Sequence, residues 1–283
     1  MLVRRLSLAL AVTAATLAVG MPAVADDTID YVALGDSAAA GPLIPNQDIN
    51  LACLRSDNNY PAVAAKALGA RLTDVSCSGA KITDFTGRQF GFVPPQYDAL
   101  NSGTDLVTLT IGGNDIGLVQ AALGCVNLFP EPFGISCADR LNSGGKDSLG
   151  TAIAAWAPQI GQALDAIRAK APKAKIVVAG YGTYVQRNGC YPLQPIWARD
   201  ANYIQASVDK LSAALRDQAA SRGATFVDLA AVSVGHDTCA APWERYLEGL
   251  IPTSLAAPLH PNAKGMAAFG AAIASAVKNP AIH

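Results

Sequence analysis

Short apolar runs alternate with longer helical patterns along this chain of 283 residues. Residues 31–34 and 105–111 consist mainly of apolar and β-branched side chains, which is typical of parallel strands buried on both faces. Shorter runs with strand character follow at residues 71–75, 174–179 and 225–229. The pattern therefore predicts five strands.

The segments between these strands have the apolar spacing of amphipathic helices, at residues 60–68, 151–171, 197–222 and 263–277. In the second of these helices a stripe of large apolar side chains predicts a face packed on the core. Parallel strands need crossover connections, and helices usually form them. We therefore predict an α/β protein, a three-layer α/β/α sandwich with a mainly parallel five-stranded sheet.

Four stretches without a helical pattern are predicted to be loops, namely residues 42–58, 118–145, 181–195 and 234–254. A loop as long as the second one is usually functional or disordered in a compact domain. It places Phe129 and Phe133 between two cysteines, and a disulfide there would argue against disorder. We predict that this loop forms part of an apolar binding wall.

The first 25 residues have the layout of a secretion signal. Two arginines precede an apolar run at residues 6–19, and a small-residue cleavage pattern ends at Ala25. The run is shorter than the roughly 20 residues that a membrane span needs. We expect residues 1–25 to be removed and residues 26–283 to form a single secreted domain without stable membrane insertion. A retained membrane anchor is the alternative.

The formal net charge at pH 7 is −1, and 15% of the residues are charged. A protein that binds nucleic acid carries a basic surface, and so does one that is held by charge to an anionic membrane. This composition supplies no such surface. We therefore expect no nucleic-acid partner.

The six cysteines all lie after the predicted signal, at Cys53, Cys77, Cys125, Cys137, Cys190 and Cys239. An even number of cysteines in an exported chain predicts disulfides, here three. A zinc site is the weaker alternative, because no C-x-x-C pair occurs and the chain has only three histidines. Of the fifteen possible pairings, we favour the sequential one, 53 with 77, 125 with 137 and 190 with 239. Each bridge would then close a loop near a strand end.

Ser37 follows the first strand and the dipeptide Gly35-Asp36 at a strand-to-helix turn. At such a turn the carboxyl end of a strand meets a helix N-terminus, whose free N–H groups can hold an oxyanion. Ser37 is therefore a candidate nucleophile. Taken alone, the tripeptide also fits an ordinary turn in which Asp36 or Ser37 caps the helix.

Three further candidate residues follow strands or precede the last helix. Gly79, after the second strand, fits either a turn with positive φ or a backbone donor facing Ser37. Asn114 follows the third strand behind two glycines, where its amide can face a ligand or cap a helix. His260 stands before the last helix, which the next proline starts. All four residues can therefore converge on one edge of the sheet.

The four blocks together resemble those of the SGNH hydrolases, also called GDSL lipases and esterases. The blocks are Gly35-Asp36-Ser37, Gly79, Gly113-Asn114-Asp115 and His260-Pro261-Asn262, in the family's order along the chain. The resemblance implies a flavodoxin-like SGNH hydrolase fold with no metal and no organic cofactor. It also implies that Ser37 is the acyl nucleophile and His260 the general base and acid. The oxyanion hole would consist of the N–H groups of Ser37 and Gly79 and the Asn114 amide.

One position departs from the family pattern, because the family usually has Asp three residues before the histidine and this chain has Ala257. Some secreted actinobacterial members, which the three-disulfide plan here resembles, use a main-chain carbonyl instead. We therefore favour the carbonyl of Ala257 or a neighbour as the group that orients His260. A distant carboxylate such as Asp237 and an inactive homologue are the alternatives. His236 is a weaker candidate for the base.

These observations predict a secreted, monomeric serine esterase or lipase that cleaves lipid or other small-molecule carboxylic esters through an acyl-enzyme. The loop with Phe129 and Phe133 would contact the acyl group. Two alternatives stay open, a carbohydrate deacetylase or acyltransferase with the same site, and a non-catalytic binding module. Intact Ser37, Asn114 and His260 argue against the binding module, but the fold alone cannot select a substrate.

Overall fold

A computed structural model describes residues 28–49 and 51–279. Its five strands are β1 Asp30–Gly35, β2 Arg71–Asp74, β3 Leu106–Thr110, β4 Lys175–Ala179 and β5 Thr225–Val227. They form one parallel sheet in the order β2-β1-β3-β4-β5. Helices cover both faces of this sheet, so the predicted α/β/α fold is confirmed. The predicted signal at residues 1–25 lies outside the described residues.

The α-helices are α1 Ser37–Ala40, α2 Tyr60–Leu68, α3 Leu118–Leu123, α4 Cys137–Leu141, α5 Ser148–Lys170, α6 Ala198–Ala220, α7 Leu229–Ser233 and α8 Ala263–Lys278. Short 3₁₀ helices lie at Ile82–Phe85, Gln96–Ala99 and Ser143–Gly145. Helices α3 and α4 fall in the predicted loop at residues 118–145, because five or six residues are too few to display a helical period. Within the described ranges no helix is both long and apolar enough to span a membrane.

The side chains of β1 alternate between two core clusters. Val32 and Leu34 pack in the cluster that contains the buried faces of α5 and α6. Tyr31 and Ala33 point the other way, into the cluster formed with α2 and α8. Because both faces of the strand are buried, it reads in the sequence as a continuous apolar run.

The three disulfides join the predicted partners. Cys53 pairs with Cys77, Cys125 with Cys137, and Cys190 with Cys239. All three bridges fasten loops at the carboxyl edge of the sheet, where the segments that follow the strands are long. The sequential pairing is therefore confirmed.

Strands β1 and β3 end side by side, with Gly35 paired with Thr110 in the last register position. Gly35 has φ +137°, and a Cβ there would lie 2.5 Å from the Thr110 carbonyl oxygen, so only glycine fits. In this strand order the connections leave β1 and β3 on opposite sides of the sheet. A crevice opens at the carboxyl ends at such a point, and open α/β proteins bind ligands there.

Candidate active site

Ser37 and His260 meet at this crevice although 223 positions separate them in the chain. Ser37 is the first residue of α1, and His260 lies on the loop just before α8. The His260 Nε2 atom is 2.7 Å from the Ser37 Oγ atom. Burial beside the serine lowers the pKa of His260 below its ordinary value, so the imidazole is neutral at pH 7 and able to accept a proton.

The other ring nitrogen of His260 faces a backbone carbonyl. Its Nδ1 atom lies 2.7 Å from the Pro258 carbonyl oxygen. The acceptor is thus Pro258 and not Ala257, because Leu259 at φ +60° turns the chain and brings the nearer carbonyl under the ring. A carbonyl can only accept, so Nδ1 carries the hydrogen and the Nε2 lone pair faces Ser37.

Asp237 and His236 have structural partners elsewhere. The Asp237 carboxylate accepts a hydrogen bond from the Cys239 N–H at 2.8 Å and so closes its own turn. His236 stacks on Tyr246 with ring centroids 3.9 Å apart, and its Nδ1 atom is 2.6 Å from the Glu244 carbonyl oxygen. Neither residue takes part in the contact between Ser37 and His260.

A buried carboxylate holds the loop that carries His260. The Glu248 N–H donates to the His260 carbonyl at 2.9 Å, and the Asn262 amide donates to Glu248 Oε1 at 2.7 Å. Burial alone would raise the pKa of Glu248, but hydrogen bonds from Ser254, Thr253 and Asn262 keep it below its usual range. Glu248 was not predicted from the sequence, and only its position in a long loop before the histidine block could have suggested it.

The three predicted oxyanion donors are the N–H groups of Ser37 and Gly79 and the side-chain amide of Asn114. In the part of the chain that the structure describes, the N–H groups of Ser37 and Gly79 donate to no protein acceptor. Gly79 has φ +81°. The Asn114 amide uses one hydrogen on the Ala80 carbonyl at 3.0 Å and keeps the other. Asn114 lines a cavity with Ser37 and His260, and it shares a neighbouring recess with Gly79. Their role in binding an oxyanion stays a prediction.

Asp36 and Asp115 fix the turns around these donors. Asp36 caps α1, since its Oδ1 atom accepts the Ala38 N–H at 2.9 Å. Its Oδ2 atom accepts the Tyr181 hydroxyl at 2.5 Å, and burial raises the pKa of Asp36 to about 7. The Asp115 carboxylate accepts the Ile82 N–H at 3.0 Å. Tyr181 was not predicted, because nothing local in the sequence distinguishes it from another residue after a strand.

The cavity beside Ser37 opens to solvent. Apolar side chains from α3, α6 and the loop after β4 line it, among them Leu118, Ala122, Val185, Ile196, Ile204 and Val208. The predicted wall of Phe129 and Phe133 is wrong. These side chains are 66% and 72% exposed and do not line the cavity, and their loop is tied to the start of α6 through a 2.9 Å bond from the Trp197 indole to the Phe129 carbonyl.

Among the described residues, His, Cys, Asp and Glu side chains form no group of three or more that could hold a metal ion. The polar groups around the Ser37 hydroxyl include the imidazole of His260 and the amide of Asn114. This set of groups is suited to nucleophilic acyl transfer.

Residues 33–268 match the family model of the GDSL-like lipase/acylhydrolase family. Lipase 2 of Streptomyces coelicolor is 43% identical over 267 residues, which is 92% of this chain and 89% of that protein. A lipase of Streptomyces rimosus is 34% identical over 260 residues, 91% of this chain and 89% of the relative. The similarity thus extends over nearly the whole of both sequences.

Two solved structures resemble this one over almost their full length. The crystal structure of phospholipase A1 from Streptomyces albidoflavus has a TM-score of 0.73 at 30% identity, covering 89% of this chain and 100% of that one. The extracellular lipase of Streptomyces rimosus gives 0.69 at 30% identity, with 88% and 100% covered. Both the sequence and the backbone therefore point to the same group of proteins.

Proposed function

Since this chain belongs to the GDSL-like lipase/acylhydrolase family and is a carboxylic ester hydrolase, we propose that it cleaves acyl lipid esters through a covalent acyl-enzyme on Ser37. The observation that carries this proposal is the 2.7 Å contact between His260 Nε2 and Ser37 Oγ at an apolar cavity. A serine hydroxyl is a weak nucleophile until an adjacent base accepts its proton.

In the acylation step, His260 Nε2 takes the Ser37 hydroxyl proton while Oγ attacks the ester carbonyl carbon. The carbonyl electron pair moves onto oxygen, and the resulting oxyanion is bound by the N–H groups of Ser37 and Gly79 and by the free hydrogen of the Asn114 amide. One such donor contributes about 3 kcal/mol to lowering the barrier. Collapse of the tetrahedral intermediate breaks the bond to the alcohol oxygen, which takes the proton from Nε2.

Deacylation repeats these steps with water as the nucleophile. His260 removes a proton from water, the hydroxide oxygen attacks the acyl carbon, and the same donors bind the second oxyanion. Breaking the bond to Ser37 Oγ releases the acid and returns the proton to the serine. The Pro258 carbonyl holds the Nδ1 hydrogen throughout, so the imidazole keeps the required tautomer.

The lining of the cavity supports an acyl chain as the group bound there. Apolar side chains from two helices and one loop face the space beside Ser37. Each methylene buried in such a site contributes about 0.8 kcal/mol. The relatives named as lipases and as a phospholipase A1 support a lipid ester for this chain as well.

The proposal includes secretion, with removal of residues 1–25. The three disulfides support it, because such bridges persist in oxidising compartments. The similarity to an extracellular lipase points the same way. A monomer stays the predicted state.

The function is tested by labelling and by a substrate series on the mature protein. A serine-directed fluorophosphonate should add one adduct to Ser37, detected by intact mass and peptide mapping, and the adduct should be absent from Ser37→Ala. Esters of one alcohol with acyl chains of 2 to about 16 carbons should give a kcat/KM that rises with chain length, since longer chains bury more methylenes. No adduct on the folded protein would contradict the mechanism, and a strict preference for acetate would favour a carbohydrate deacetylase.

A further inference from the structure

We infer that Tyr181 is a positioning residue of the oxyanion hole, whose hydroxyl ties the turn carrying Ser37 to the turn carrying Asn114. The inference rests on the proposed function, because it concerns how that site is held. Tyr181 follows β4, on the opposite side of β3 from β1. Its side chain nevertheless reaches back to both of the other strand ends.

The Tyr181 hydroxyl makes one hydrogen bond to each turn. It donates to Asp36 Oδ2 at 2.5 Å and accepts the Gly113 N–H at 2.8 Å. Asp36 directly precedes Ser37, and Gly113 directly precedes Asn114. A single oxygen atom therefore bridges the residues next to two of the three proposed oxyanion donors.

The turn that carries the third proposed donor, Gly79, is connected to the same hydrogen-bond network. The Asn114 amide donates to the carbonyl of Ala80, the residue after Gly79, at 3.0 Å. The Cys77 N–H in turn donates to the Gly35 carbonyl at 3.0 Å. The hydrogen bonds thus run from the Ser37 turn through Tyr181 to Asn114, on to the Gly79 turn, and back to the end of β1.

Tyr181 is itself held rigidly. Its side chain is buried, and its N–H donates to the Ser212 hydroxyl of α6 at 3.0 Å. A Cβ at Gly113 would lie 3.2 Å from the Tyr181 hydroxyl, so the glycine allows this close approach. Two hydrogen bonds at its hydroxyl and one at its backbone N–H hold this buried residue, so it can set the separation of the two turns to the few tenths of an ångström that a preorganised site requires.

The Tyr181 hydroxyl also affects the protonation state of Asp36. The Asp36 carboxylate accepts hydrogen bonds from the Tyr181 hydroxyl and the Ala38 N–H. Protonation would turn one carboxylate oxygen into a donor and weaken the hydrogen bond between Asp36 and Tyr181. The Tyr181 hydrogen bond lowers the pKa of Asp36, which burial raises to about 7, so loss of the hydroxyl raises that pKa further. The titratable groups that face Asp36 are Tyr60, Tyr181, Tyr184, Asp115 and, across Ser37, His260.

The test is Tyr181→Phe, which removes one oxygen and keeps the ring. We expect kcat to fall about 10- to 100-fold because the donors lose their fixed positions, while KM stays within about two-fold. The acid limb of the kcat profile should move to higher pH. A merely structural role for the hydroxyl would not separate kcat from KM or move this limb.

The matched control is Tyr31→Phe. Tyr31 is also fully buried, and its hydroxyl bonds to Thr108 Oγ1 at 2.7 Å inside the sheet core. It should lose a comparable amount of thermal stability and keep kcat. A Tyr181→Phe enzyme with wild-type kcat, an unmoved acid limb, or a kcat loss that Tyr31→Phe shares would overturn the inference.

Should Tyr181→Phe fold poorly, Asp36→Asn alone provides a second test. Asn keeps an oxygen for the Ala38 N–H and removes the carboxylate that accepts the Tyr181 hydroxyl, so kcat should fall about ten-fold while KM stays within about two-fold. Where both single variants fold, the double variant should lose no more kcat than the worse single one. Wild-type kcat in Asp36→Asn, or multiplied losses in the double variant, would overturn the inference. Fluorophosphonate labelling distinguishes failure of the proposed function from failure of the inference about Tyr181. If the proposed function is wrong, Ser37 of the wild-type protein is not labelled. If only the inference is wrong, Ser37 is still labelled.

Discussion

The site around Ser37 combines a cavity wall of apolar side chains from α3 and α6 with a set of polar groups linked by hydrogen bonds. In the cavity, Ala122 and Ile204 present methyl groups that any side chain of similar volume could replace. Among the donors, the hydroxyl of Tyr181 and the amide of Asn114 each have specific partners. The two regions therefore differ in what a single substitution can change.

The physical reason is that apolar contact is non-directional, whereas a hydrogen bond is directional and costly to leave unmade. A changed cavity volume alters which acyl chain fits. A displaced donor alters the barrier for every substrate alike. We therefore expect changes in the donor set to lower kcat broadly and changes in the cavity to redistribute kcat/KM among chain lengths.

The largest expected effect tests the donor side. Asn114→Ala should lower kcat about 10²- to 10³-fold for short and long esters equally, with little change in KM, because it removes one of the proposed oxyanion donors. Steady-state kinetics on the ester series measures this. The control is Asn142→Ala, which removes an exposed amide at the end of α4 and should keep wild-type rates. A loss confined to one chain length would place Asn114 on the substrate-selecting side instead.

A smaller effect tests the cavity side. Ala122→Phe should fill part of the space beside Ser37 and lower kcat/KM for esters of long acids about ten-fold, while acetate esters change little. The ratio of the two kcat/KM values is the measurement. Leu123→Phe is the matched control, since Leu123 lies on the same helix and is 51% exposed. An equal fall for acetate would mean that the cavity wall also positions the reacting carbonyl.

The same contrast explains what could be predicted from the sequence. Ser37 and Asn114 follow strand ends marked by glycines, and His260 precedes a proline at the start of a helix, so local signals mark all three positions. The strands are visible because burial on both faces requires apolar runs. The helical turns of α3 and α4 were missed, since such short helices are stabilised by their tertiary contacts rather than by a local period.

The partners of the donors could not be predicted, because their positions depend on the fold. Tyr181 bonds to residues 145 and 68 positions away, and no local pattern encodes such a distance. The cavity lining was predicted wrongly for a related reason. An aromatic side chain in a loop such as Phe129 can point in or out, and the bond from Trp197 to its carbonyl anchors the backbone without turning the ring inward.

The smallest expected effect tests whether Asp237 belongs to the hydrogen-bonded groups that support His260. Asp237→Asn should leave kcat within about three-fold of wild type, because the Pro258 carbonyl holds Nδ1 of His260 and the Asp237 carboxylate bonds to the Cys239 N–H instead. Asn keeps an oxygen for that N–H, so the substitution removes the charge and preserves the turn. Loss of a true orienting acid costs about 10⁴ in rate. A fall near the size of that for His260→Ala would show that Asp237 reaches the histidine during turnover and that a carboxylate, not a carbonyl, completes the site.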